Sequence, residues 1–125
     1  MLKDKMVAAT LPAVDMERAT KFYEEKLGLK VTQTDMGGVM FQAGDGTGLY
    51  LYRRGPTKAD HTVASFNVDN IEAEINDLRA KGVVFEEYDI PLMHIKTING
   101  LATMDGAKMA WFKDTEGNIL SITQM

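Results

Sequence analysis

Ala110-Trp111-Phe112-Lys113-Asp114-Thr115-Glu116-Gly117-Asn118-Ile119-Leu120-Ser121-Ile122-Thr123 is the stretch whose reading decides the fold. Two alternating apolar runs flank Asp114-Thr115-Glu116-Gly117-Asn118, a cluster of turn-forming residues, so the stretch reads as strand, tight turn, strand. Successive side chains on a strand point to opposite faces. Leu120 and Ile122 therefore share a face that needs a core. Ile119, Ser121 and Thr123 share the other, whose mixed character suits a cavity wall.

Upstream, the same logic finds two copies of one order. Met6 to Ala13 reads as a strand with Pro12 near its end or on an edge, since proline cannot donate to a ladder. Asp15 caps a helix running to Leu27, with Met16, Ala19, Tyr23 and Leu27 at helical spacing and Gly28 as its stop. Leu29 to Thr34, Val39 to Ala43 and Gly48 to Arg53 follow as strands, punctuated by Gly37-Gly38 and Asp45-Gly46. Residues 54–60 have linker composition. Thr62 to Val68 then begins the second copy. Asp69 is the expected cap of a helix to Lys81, with Glu72 completing a capping box and Ile71, Ile75 and Leu78 forming the apolar stripe. Val83 to Tyr88, Gly100 to Asp105, Lys108 to Lys113 and Asn118 to Thr123 supply its strands. Val14-Asp15 with Val68-Asp69, Ala19 with Ala73, Gly28 with Gly82, and Gly46 with Gly100 all match at one offset of 54 residues. Such matches fall where backbone geometry restricts choice, and they indicate a duplicated unit.

Composition removes several function classes. With 125 residues, 45% of them hydrophobic, the chain suffices for one domain with a real core. A net charge of −4 leaves no basic stripe for nucleic acid. No cysteine is present, so disulfides, thiolate catalysis and thiolate metal sites are all ruled out. Met1-Leu2-Lys3-Asp4-Lys5 leads into no apolar signal-like run and no stretch reaches membrane-spanning length, which makes the cytoplasm the expected compartment.

Leu11-Pro12-Ala13-Val14-Asp15-Met16-Glu17-Arg18-Ala19, then Phe22-Tyr23 and Leu27-Gly28-Leu29, resembles the opening of the vicinal oxygen chelate superfamily, which holds glyoxalase I, bleomycin-resistance proteins and extradiol dioxygenases. Phe66-Asn67-Val68-Asp69-Asn70-Ile71 resembles its second-module helix start. The closing hairpin resembles its Phe-x-Asp-Pro-x-Gly-Asn motif, with Thr115 in place of proline. The resemblance implies an α+β fold of two paired βαβββ modules, 6–53 and 61–124 joined by linker 54–60. Their strands would form a cupped mixed sheet with helices outside, often completed in a homodimer.

In metal-dependent members the ligands come from the inner faces of the first, fourth, fifth and last strands. Those places fall on Ala8, Tyr50, Val63 and Ser121, none of them a good donor to a divalent ion. A shift of two would exchange Val63 for His61. The resulting expectation is a small-molecule binder with no metal, no cofactor and no catalytic residue, close to the drug-sequestering branch. Its expected ligand wall is Tyr50, Tyr52 and Trp111, which alternate with Leu49, Leu51 and Phe112, together with Ser121 and Met109; Met40 or Phe41 would adapt the pocket.

His61 reads either as a solvated histidine at a strand start or as a group at the cup's rim. His94 lies in Ile90 to Asn99, which reads equally as a packed connector or as a binding loop. Two further readings stand beside the binder. One is a lyase, isomerase or dioxygenase with a displaced metal on His61, His94 and Glu86 or Glu87. The other is a structural or partner-binding protein with a filled cup.

Overall fold

The computed structural model describes residues 1–125, which divide into two compact units, 1–58 and 59–125. In the first unit, strands β1 (Ala9–Ala13), β2 (Lys30–Thr34), β3 (Gly38–Gln42) and β4 (Gly48–Arg53) form a mixed sheet in the order β1-β4-β3-β2. β1 runs parallel to β4 and the other pairs are antiparallel. In the second, β5 (Thr62–Asn67), β8 (Ala102–Met104), β9 (Ala107–Lys113) and β10 (Ile119–Gln124) repeat that pattern in the order β5-β10-β9-β8. Again the first strand is parallel to the last. The fold is α+β, built from two βαβββ modules. No helix is long and apolar enough to cross a membrane.

One helix covers one face of each sheet. α1 (Met16–Lys21) continues into a π-helical turn, Phe22–Lys26, and buries Met16, Ala19 and Tyr23. Tyr23 meets Phe41 with ring centroids 5.5 Å apart, above Leu11, Leu49 and Leu51. α2 (Ile71–Ala80) buries Ile71, Ile75 and Leu78. Phe112, Leu120 and Ile122 are buried on the sheet it covers, and Phe85 packs on Phe112 at 5.6 Å. Burying each such side chain contributes about 2 kcal/mol.

The duplication is real but not in strict register. All four matched glycines, Gly28, Gly46, Gly82 and Gly100, take positive φ. The helix caps differ. Asp15 Oδ1 accepts from the Arg18 N–H at 3.0 Å, as expected. The second cap is Asn70 rather than Asp69, accepting from the Ala73 N–H at 3.2 Å. The caps are therefore one position further apart than the stop glycines. The first helix absorbs its extra residue in the π turn, where the Leu27 N–H reaches back to the Phe22 carbonyl at 3.3 Å. A one-residue shift turns a helix by about 100°. That is why Ala19 is buried and its sequence partner Ala73 is exposed.

Other boundaries also change. β1 begins at Ala9, because its partner β4 begins at Gly48 and leaves Met6 to Ala8 without a ladder. Pro12 sits on this edge strand, as its missing N–H requires. Val83 to Tyr88 is not a strand: only Phe85 bridges Phe112, while Glu87 turns aside to accept from the Gly100 N–H at 2.8 Å. Glu72 closes no capping box; its carboxylate accepts from Lys108 Nζ at 2.9 Å. Residues 88–97 form a small ribbon of β6 (Asp89–Ile90) and β7 (Ile95–Lys96).

The closing hairpin is held from inside its turn. Buried Asp114 accepts through Oδ1 from the Glu116 and Asn118 N–H groups at 2.8 and 2.9 Å, and through Oδ2 from Asn118 Nδ2 at 2.8 Å. Asp114→Ala leaves those donors unpaired in a dry site. It should cost about 3 kcal/mol in urea unfolding, and a loss below about 0.5 kcal/mol would show the turn does not depend on this carboxylate.

Candidate functional site

In the first unit, the face away from α1 carries Thr10, Pro12, Met40, Tyr50 and Tyr52, all at least partly exposed. Strand alternation puts both tyrosines opposite the buried Leu49 and Leu51, as the sequence implies. A cleft of about 480 Å³ opens at one end of this face, lined by Met6, Ala8, Thr32, Met40, Gln42 and Gly48. A side chain at Gly48 would come within 2.9 Å of the Phe41 carbonyl and 3.4 Å of Met40 Sδ, so glycine keeps the floor bare. Met40 pairs in register with Tyr50, which makes the tyrosine the next group along the face.

Tyr50 is fixed by the β2–β3 turn. Its ring lies over Gly38, where a Cβ would be 2.9 Å from Tyr50 Cζ and 1.9 Å from the Leu51 carbonyl oxygen. Its hydroxyl donates to Asp35 Oδ1 at 3.0 Å, and the same oxygen accepts from the Gly37 and Gly38 N–H groups at 2.8 and 2.9 Å. These bonds, the Gly37 N–H foremost, hold the Asp35 carboxyl below its ordinary pKa. Desolvation, then the Asp35 bond, pushes the Tyr50 phenol above its own. The sequence marks Gly37-Gly38 only as a turn, and Asp35 is not legible as a site residue because its partner lies across two strands.

In the second unit, the face away from α2 carries Ser65, Asn67, Met109, Trp111, Ser121 and Thr123. Ser121, only 4% exposed, donates to Ser65 Oγ at 2.7 Å, and Ser65 Oγ lies 3.2 Å from Thr123 Oγ1. Trp111 takes the face opposite Phe112, yet it is 7% exposed. Tyr88 covers it edge-on at 5.4 Å, and Ile95, Ala102 and Ile119 surround it, with Met104 and Met109 at the margin. Thr97 holds this cover: its Oγ1 accepts from the Tyr88 N–H at 2.7 Å, and its N–H donates to the Tyr88 carbonyl at 2.8 Å. Tyr88, Ile95 and Thr97 thus form a strap over the indole, while residues 89–94 between them are exposed. His94 stands in this exposed stretch with φ +56°, and exposed His61 sits with Nδ1 3.0 Å from Asp60 Oδ1.

The family model described as Glyoxalase/Bleomycin resistance protein/Dioxygenase superfamily matches residues 5–122. The chain belongs to this superfamily. Comparison with curated proteins returns no match. Among solved structures, a superfamily member from Sphaerobacter thermophilus is similar over all of both chains, with 21% identity and a TM-score of 0.77. TnmS3, an antibiotic-binding protein from a Streptomyces species, shares 23% identity over 99% of this chain and 98% of its own, with a TM-score of 0.66. Lactoylglutathione lyase from Agrobacterium tumefaciens shares 17% identity over 99% and 96%, with a TM-score of 0.72. Identities this low speak for the fold alone.

The places where metal-dependent superfamily members hold their ion do not fit one here. Ala8 and Val63 have no donor atom. The Tyr50 phenol is committed to Asp35 and the Ser121 hydroxyl to Ser65. No three His, Asp or Glu side chains cluster to hold a metal ion anywhere in the chain. The displaced set is not gathered either: Glu86 pairs with Lys113 at 3.4 Å, and Glu87 holds the Gly100 N–H.

The turn yields a pH test. A carboxyl with a depressed folded pKa adds stability above its unfolded value, and that contribution is lost as pH falls through the folded value. The advantage of the native protein over Asp35→Asn in urea unfolding should therefore be full at neutral pH and shrink below about pH 4. A difference that stays constant across that range would contradict the assigned bonds.

Proposed function

We propose that this protein binds a small, flat, partly polar molecule without metal and without covalent chemistry, and so sequesters it. The observation that carries the reading is the cleft of about 480 Å³ in the first unit, with Ala8 in its lining where metal-dependent relatives carry a ligand. Small-molecule sites span roughly 300–1,000 Å³ and combine apolar walls with a few polar groups. Here Met6, Ala8 and Met40 supply apolar surface, and Thr32 and Gln42 supply a hydroxyl and an amide. Thioethers adapt to ligand shape, and Tyr50 and Tyr52 extend the wall with rings that carry polar tips. TnmS3, similar in fold, is an antibiotic-binding protein. A homodimer in the cytoplasm belongs to the same proposal, and sedimentation at micromolar concentration tests the dimer.

Calorimetric titration with a panel of planar aromatic compounds should give saturable one-site binding that survives prior dialysis against chelator. Ala8→Trp, placed on an exposed segment outside the ladder, fills the cleft and should weaken binding at least tenfold while leaving the unfolding midpoint nearly unchanged. Stoichiometric zinc, nickel, manganese or iron in protein purified without chelator would overturn the proposal in favour of metal-dependent chemistry.

A further inference from the structure

The ladder between β1 and β4 stops one rung early. Backbone groups along β4 alternate between its two neighbours. The Arg53 N–H donates to the Gly37 carbonyl at 2.9 Å, which turns the odd-numbered residues of β4 toward β3. The Arg54 N–H donates to the Ala13 carbonyl at 3.1 Å, which turns the even-numbered ones toward β1. In the parallel register, the Tyr52 and Tyr50 N–H groups then donate to the Leu11 and Ala9 carbonyls. The next donor in the series is Gly48, whose counterpart would be the Val7 carbonyl. β1 begins only at Ala9, so the Gly48 N–H meets no acceptor in the chain. Gly48, Met6, Val7 and Ala8 all line the cleft of about 480 Å³, so the missing rung opens into it.

We infer that the Gly48 N–H is the specificity-determining donor of this cleft, and that the ligand meets it with a carbonyl oxygen on the edge of its ring. The inference rests on the binding role proposed for the cleft and names the ligand's chemistry, a planar lactam or related cyclic carbonyl compound. A half-buried N–H without an acceptor is costly, and a carbonyl where Val7 would have continued the ladder removes that cost. The neighbouring hydroxyls cannot take this part. Thr32 Oγ1 donates to the Met40 carbonyl at 3.3 Å and Thr47 Oγ1 to the Gly44 carbonyl at 2.5 Å, so both protons are spent. Gln42 keeps its amide donors on an exposed, flexible stem, whereas the Gly48 N–H is held in place by its strand.

The test compares oxindole, a planar lactam, with indole, the same bicycle without the carbonyl. Affinities come from calorimetry, and the Gly48 amide is followed by NMR in protein isotopically labelled at its glycine nitrogens. Both rings fill the same apolar wall, so both should saturate. Oxindole should bind about fivefold more tightly, the worth of one neutral hydrogen bond. It should also move the Gly48 amide proton downfield and slow its exchange with solvent, along the same saturation curve. Indole should cause no downfield shift. Ala8→Trp, which fills the cleft, should cancel the oxindole response at Gly48.

If both probes bind and oxindole leaves the Gly48 amide in place, the inference fails and the binding role stands, whatever the ratio of affinities. Equal affinities overturn it in the same way. If neither probe saturates the native protein, the binding role fails and takes the inference with it. A downfield shift that persists in Ala8→Trp puts the contact outside the cleft and overturns the inference. Should Ala8→Trp not fold, the two titrations of the native protein decide the matter.

Discussion

Each sheet has two faces and only one helix. Tyr23 over Phe41 in the first unit, and Ile71, Ile75 and Leu78 over their strands in the second, commit one face of each sheet to a core. Period two then leaves every second residue on a face that no helix covers. In the first unit this face carries Met40, Tyr50 and Tyr52, half-buried, with a cleft at its Met40 end. In the second it carries a line of hydroxyls and an indole beneath a strap. The proposed binding surface is what helix packing leaves unused.

Much of this was legible because it follows from local rules. Leu49 and Leu51 alternating with Tyr50 and Tyr52 fix the orientation of β4 whatever lies above it. Asp105-Gly106 turns β8 into β9 with both residues at positive φ, as a two-residue hairpin turn demands. The 54-residue offset identified the duplication from its glycines. What the offset could not reveal was the π turn. An extra residue inside a helix changes which side chains face the sheet without disturbing the residues that start and stop it.

The rest depended on contacts distant in sequence. Asp35 meets Tyr50 only because β2 and β4 come together through β3, carrying a carboxylate to a phenol. Alternation puts Trp111 on the face opposite Phe112, but it cannot tell an open face from one covered by a strap. The cover is built from Tyr88, Ile95 and Thr97, in a stretch with mixed periodicity that reads equally as connector or loop. Val83 to Tyr88 looks like a strand because Val83 and Phe85 alternate into the core, yet it lacks the ladder that would make it one.

The central claim places the ligand in the first unit's cleft, and the chain's methionines can report on it directly. With Met methyl groups isotopically labelled, indole should shift the NMR signals of Met6 and Met40 in a saturable way and leave Met104 and Met109 in place. Saturable shifts confined to Met104 and Met109, or no saturable shift at any methionine, would contradict the account.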